Sequence, residues 1–399
     1  MKRIFIISPI SVLLLSACVR MEPVPDEVNR LEITFDTPVA STMMKSVPGP
    51  ITDASYPADE TMGIFAVHSK DPAGSWGTGE MTDYIPGENT SKTDETGAEF
   101  KSLSDGLWAG WDGENQVRHP YYWPNEGSLI FAGYSPYWKM KVHDEQVSVI
   151  NGEDSDLVKV ENVTFNAETR TLSIENYHVG EYVPMTKKQL EEDDYHYENV
   201  HQSDLMIFMP DLDKDGNYIG YKDQAFYAPH FKHALSLVEF NVKVEHEHDV
   251  NMVGIYRIEV ENVIHKGNLM ATLLDNGEVD IKWTADDDDE HISPITVFNP
   301  NLSDPSEEHK GFHPTTTRRT IAQLLIIPGP THTITMETHV HVNGYSHPQT
   351  LFFEPEDIGI SEWLPGRRYV YNIVLGVERV TFSSTVSEWG QLNGPITIQ

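Results

Sequence analysis

The sequence is short of several things, and each shortage excludes something. It has a single cysteine, Cys18, in 399 residues, so neither an intramolecular disulfide nor a multi-cysteine metal site can form. It has 28 lysines and arginines against 62 aspartates and glutamates, a formal net charge of −34, with no sizeable basic cluster. Phosphate backbones need a basic footprint, so nucleic acid is not an expected partner. The apolar stretch from Ile4 to Leu15 is well short of the roughly 20 residues a spanning helix needs. Long amphipathic helical patterns are nearly absent. A nucleophilic elbow, a phosphate-binding loop and a His-Glu-x-x-His pair are missing too, and no cofactor is implied. A glycosidase stays open on motif grounds, because its two carboxylates need only meet about 5–10 Å apart in space.

What is there begins with that one cysteine. Lys2 and Arg3 form a positive leader, Ile4 to Leu15 an apolar stretch, and Leu15-Ser16-Ala17-Cys18 places a thiol directly behind small residues. This is the pattern of a bacterial lipoprotein signal, with residues 1–17 removed and Cys18 acylated; an ordinary secretory signal ending near Ser16-Ala17 is the alternative. Acyl chains contribute about 0.8 kcal/mol per buried methylene, so several on one residue hold a soluble domain at a membrane surface. The expected location is the outer membrane, facing outward. The remaining 382 residues lose only Lys2 and Arg3 among charged groups, which takes the net charge from −34 to −36. Without disulfides, their stability must come from apolar cores.

Period-2 alternation dominates wherever a pattern is legible. It predicts strands at Leu31–Phe35, Gly63–Val67, Leu129–Tyr134, Val163–Phe165, Thr171–Ile174 and Leu205–Met209. The second half adds Ala234–Val244, Gly254–Val263, Leu269–Leu274, Ala322–Ile327, Thr331–Val342, Arg368–Leu375 and Val380–Val386. Residues 71–118, rich in Gly, Thr, Ser and acids, read as an extended loop, and Asp286–Glu290 as a solvated acidic turn. The one modest helical pattern is the polar stretch Thr186–Asp194. The chain is therefore all-β, and about 13 strands fit two tandem β-sandwiches of about seven strands each, joined close to Tyr221.

Three groups of residues are candidates for chemistry. Asp211-x-Asp213-x-Asp215-Gly216 resembles the first half of a calcium loop, but Lys222 stands at the twelfth position, where a bidentate glutamate would be needed; an Asx-rich turn is the alternative. His339-Val340-His341 and His246-Glu247-His248 place imidazoles two apart, a zinc-compatible spacing on a strand. In the first pair, alternation with Ile334, Met336, Val340 and Val342 makes the histidines the solvent face of a half-buried strand. Trp108, Trp111 and Tyr121, with Tyr122, Trp123, Phe131 and Tyr134, form either a sugar-stacking platform or core and loop anchors; alternation assigns Trp123 and Phe131 to the core.

Several segments together resemble the fimbrillin family of Bacteroidales, the type V pilus subunits with their anchor and tip relatives. They are Leu31–Phe35 followed by Thr42-Met43-Met44-Lys45-Ser46, Tyr122-Trp123-Pro124 leading into Leu129–Pro136, Ser203-Asp204-Leu205-Met206, Phe231–Phe240, Trp363–Leu375 and Val386-Ser387-Glu388-Trp389. The resemblance implies two transthyretin-like β-sandwich domains, residues 46–220 and 221–399, behind a propeptide of residues 18–45. It implies a non-enzymatic subunit of cell-surface pili that assembles with other subunits by strand exchange after proteolysis, stalk ahead of tip or anchor. Cleavage after Lys45 would release Leu31–Phe35, whereas cleavage at Arg30 would leave that strand attached; Val380–Gln399 would be the donor. A host or bacterial surface receptor is a further expected partner. The alternative is a glycan-binding surface lipoprotein of a nutrient-uptake system, with Trp108, Trp111 and Tyr121 stacking on sugar rings.

Overall fold

The structure, a computed structural model, describes residues 31–40, 61–76, 80–86, 96–103, 106–113, 115–137, 139–143, 146–150, 162–180, 182, 184, 202, 204–223, 227–285, 292–299, 311–389 and 396–398. Among these, the only helical elements are short 3₁₀ turns, so the all-β expectation holds.

The largest sheet contains, in spatial order, Thr34–Phe35, Trp108–Asp112, Ala98–Ser102, Thr61–Ser69, Ser128–Ser135, Met206–Phe208, His230–His233 and Val39–Ala40. The first and last members of that order are neighbours in sequence. Phe35 itself is paired with Trp108 on one side and, through a parallel bridge, with Tyr227 on the other. The segment 31–40 therefore closes the sheet on itself. Inside the closure lie Ile33, Phe35, Met62, Ile64, Phe100, Trp108, Leu129, Phe131, Phe208 and Phe231. The same strands turn their alternate residues, Phe65, Val67, Ile130 and Tyr134, outward against a second core. Thr61–Ser69 and Ser128–Ser135 are thus buried on both faces, so the alternation expected of them is incomplete, with apolar residues in both sets of alternate positions.

A second sheet joins Asn162–Asn166, Thr171–His178, Lys266–Leu273 and Val279–Ala285, so it pairs strands from either side of Tyr221. Its Leu172, Ile174, Leu269 and Ala271 pack on that outward face. The third sheet runs Arg319–Ile326, Ser236–Val244, Arg367–Leu375, Val380–Glu388 and Ile396–Ile398; the fourth runs Ile292–Phe298, Val253–Ile264, Ile334–Val342 and Tyr345–Phe353. They share one core through Val238, Phe240, Ile321 and Tyr371 on one side and Ile255, Ile258, Ile334 and Met336 on the other, a sandwich of sheets.

Residues 71–118 are not the extended loop expected from their composition. They contribute strands Met81–Ile85, Ala98–Ser102 and Trp108–Asp112 to the closed sheet. Each is short, and only Ile85, Ala98, Phe100, Trp108 and Ala109 are buried apolar residues of them, too few for a legible period. Thr186–Asp194 and Asp286–Glu290 lie outside the described residues.

Candidate strand-exchange site

The most unusual site in the molecule is the seat of its own N-terminal segment. Ile33 and Phe35 are buried, and Thr34 and Phe35 pair antiparallel with Ala109 and Trp108. The Ile33 N–H donates to the Tyr121 carbonyl at 2.7 Å, the Trp123 N–H to the Leu31 carbonyl at 3.0 Å, and the Asp36 N–H to the Tyr227 carbonyl at 3.1 Å. The Phe35 ring meets Phe100 and Phe131 edge-on, both with centroids 5.2 Å away, and Tyr227 at 6.0 Å. Arg118 grips the Glu32 carboxylate with two hydrogen bonds, 2.8 and 2.5 Å. Further along, Val39 and Ala40 lie parallel to His230 and Phe231. A ten-residue segment is thus held as a ligand would be: backbone bonds along both sides, two apolar side chains in pockets and one ion pair at the rim.

The wall behind Phe35 is braced by tyrosines. Tyr221 packs against Tyr227, centroids 4.7 Å apart with the rings tilted by 45°, and donates its hydroxyl to Asp211 at 2.6 Å. Burial, followed by the nearby Asp211 charge, pushes the Tyr227 hydroxyl well above its ordinary range, so it stays neutral. Asp211 therefore serves this wall. Asp213 faces elsewhere: it accepts from Ser75 Oγ at 2.7 Å and from the backbone N–H groups of Asp215 and Asn217 at 2.8 and 2.9 Å. The Ser75 hydroxyl first, then the Asn217 backbone, hold its carboxyl down at about 2. Asp215 pairs with Lys214 at 3.5 Å. Gly216, at φ +79°, makes the bend in this Asx-type turn. The three carboxylates named as calcium candidates thus point to three different partners.

The opposite end of the chain has a comparable strand. Val380–Glu388 pairs with Arg367–Leu375 at nine positions, whereas Ile396–Ile398 pairs with its outer edge, at Ser384, Thr385 and Val386, at only three.

Of the remaining candidates, Cys18, Arg30 and Lys45 lie outside the described residues. Trp108 is buried opposite Phe35 on the neighbouring strand, Tyr121 stacks on Phe100 at 5.7 Å, and Trp111 is half-buried under the Lys101 ammonium at 5.5 Å. Trp108 is therefore core, as are Trp123 and Phe131. His339 and His341 lie on the outer face of Ile334–Val342, as alternation implied, with His339 stacked on Tyr256 at 3.8 Å. His246 precedes and His248 lies within a 3₁₀ turn at Glu247–Asp249, not a strand, because the sequence there breaks the apolar period. Among the described residues no three His, Cys, Asp or Glu side chains gather as a metal ion would require. Arg118 and Tyr227, which complete the seat, carry no sequence signal: their partners lie 86 and 192 residues away.

A closed β-sheet sealed by its own N-terminal segment, beside a sandwich of two further sheets, defines the class. The fimbrillin-like family model matches residues 58–389, and the chain belongs to that family, which supports a pilus or adhesin subunit. Similar solved structures include a fimbrial protein from Bacteroides vulgatus, 12% identical over 90% of this chain and 100% of that one, with a TM-score of 0.43. A protein from Bacteroides uniformis assigned to cell adhesion is 14% identical over 90% and 99%, TM-score 0.43. The tip fimbrial protein Mfa3 from Porphyromonas gingivalis, with a C-terminal truncation, is 7% identical over 90% and 100%, TM-score 0.31. No curated protein matches the chain.

Proposed function

We propose that the chain is a non-enzymatic stalk subunit of a surface pilus, exported as a lipoprotein on Cys18, cut after Lys45, and polymerised by strand exchange. One observation carries the reading. Ile396-Thr397-Ile398-Gln399 repeats the pattern of Ile33-Thr34-Phe35-Asp36: two large apolar residues flanking a threonine, then a polar residue. Placed in the same register, Ile396 and Ile398 would take the pockets of Ile33 and Phe35. Pro395 would then stand where Glu32 does, and neither backbone bond bracketing Glu32 uses that residue's N–H, so a proline is tolerated. Leaving the seat would expose an unpaired sheet edge and an apolar groove, and a like strand from a neighbour would fill both.

The register also narrows the donor. Val380–Glu388 is bonded along its full length to its own sheet, so the part free to leave is the segment beyond Trp389 rather than all of Val380–Gln399. A subunit with both a groove and a donor suits a stalk, which must engage neighbours at both ends. The exported domain pair is divided near Tyr221 in this reading, with the second sheet bridging the two. The test is the N-terminus and intact mass of the protein from the surface of its native cell. A start at Ser46 in heat-resistant ladders supports the proposal; acylated Cys18 on a monomer contradicts it.

A further inference from the structure

We propose that His233 is a positioning residue for the C-terminal segment: held by Asp204, it clamps Trp389 and fixes the point at which the chain leaves its own subunit. This rests on the strand-exchange reading above. Three distant parts of the sequence meet here. Asp204 precedes Met206–Phe208, His233 ends His230–His233, and Trp389 follows Val380–Glu388. His233 Nδ1 lies 2.9 Å from Asp204 Oδ2, with both side chains at 1% exposure or less. The carboxylate accepts from Nδ1 and so sets the ring's orientation. The imidazole then lies flat on the Trp389 indole, centroids 4.0 Å apart and planes 8° from parallel. Trp389 is itself buried, and its backbone N–H donates to the Gly366 carbonyl at 2.8 Å.

Two details make this a clamp that can open rather than ordinary core. His233 Nε2 is buried and has no hydrogen-bond partner among the described residues, so the closed arrangement is held with less than its full complement of bonds. A cleft of about 800 Å³, lined by His233, Trp389, Lys232, Leu364, Arg367 and Glu388, adjoins the indole and gives it room to move. The clamp also touches the other end of the mechanism. The strand that ends in His233 carries Val39–Ala40 on its edge through His230 and Phe231. Loss of segment 31–40 strips that edge, and the loosened strand relaxes its hold on Trp389. The emptied groove and the freed donor are thereby tied together through one residue.

The test uses the full chain and amide hydrogen exchange. Asp204→Asn and Trp389→Ala should each speed exchange at Trp389 and Ile396–Ile398 by about tenfold or more, while Phe240 and Ile373 in the same sheet stay protected. Trp389→Phe, which keeps an aromatic ring on the imidazole, should restore most of the protection. Unchanged exchange at Trp389 in Asp204→Asn overturns the proposal, and so does an equal loss of protection across the whole sheet. This readout is taken on the unpolymerised chain. If the natural protein never forms ladders, the strand-exchange reading fails while the exchange data still decide whether the clamp exists.

Discussion

Among the described residues of the N-terminal segment, Phe35 buries the largest side chain. It is fully buried, with three aromatic rings around it, and truncating such a side chain leaves a cavity. Phe35→Ala in the full chain is expected to lower unfolding stability by about 3–5 kcal/mol in a urea titration, or to release the segment to protease. Arg118→Ala should do far less, below about 1 kcal/mol, because the Arg118 side chain is 46% exposed. Asp213 makes a prediction in pH. Its folded carboxyl titrates at about 2 against an ordinary 3.8, so the stability it contributes is present above pH 3.8 and is lost as pH falls from there towards 2. Asp213→Asn should flatten that part of an acid denaturation curve. Phe35 was legible, since it alternates with Ile33. The Arg118–Glu32 pair was not, because nothing local in either residue points to the other.

At the scale of elements, the contrast lies between strands that cannot leave and strands that can. Removing residues 390–399 should leave a folded monomer whose strand content by circular dichroism falls by no more than the three residues of Ile396–Ile398, and should abolish polymers. Removing 380–399 should unfold the third sheet, because it strips nine paired positions from Arg367–Leu375 and exposes Tyr371 and Ile373. Loss of fold in the shorter deletion would contradict this division. The legibility of strands follows burial. Thr61–Ser69 and Ser128–Ser135 have two apolar faces and were read from their centres outward. Met81–Ile85 and Tyr345–Phe353 lie at sheet margins, largely exposed, and gave no apolar period. Val279–Ala285, an edge of the second sheet, does carry a period: Val279, Ile281 and Trp283, partly buried against the core, alternate with Asp280, Lys282 and Thr284, and the prediction omits it.

For the whole molecule, sequence patterns established that the chain is built of sheets but could not reveal which strands are neighbours. Ser236–Val244 lies parallel to Arg367–Leu375, and segment 31–40 touches strands on both sides of the closed sheet; both pairings span more than a hundred residues or depend on tertiary closure. The expected join at Tyr221 falls where the second sheet draws strands from both halves, a connection that alternation does not report. The net charge of −34 acts at this scale too. Like-charged subunits repel at long range, so polymer growth should accelerate as salt rises from about 0.01 to 0.15 M and the screening length shrinks. Growth that slows over that range would mean attractive ion pairs, not apolar strand burial, drive association.

The central claim is that Ile396-Thr397-Ile398 of one subunit takes the place of Ile33-Thr34-Phe35 in the next. Thr34 lies opposite Ala109 in the present register. Paired strand positions can be joined by a disulfide. Polymers assembled from Ala109→Cys/Thr397→Cys subunits and oxidised should therefore show covalent ladders under denaturing, non-reducing conditions, collapsing to monomer on reduction. Polymers that form normally yet remain uncrosslinked at this pair, and crosslink instead when the second cysteine is moved into Val380–Glu388, would contradict it.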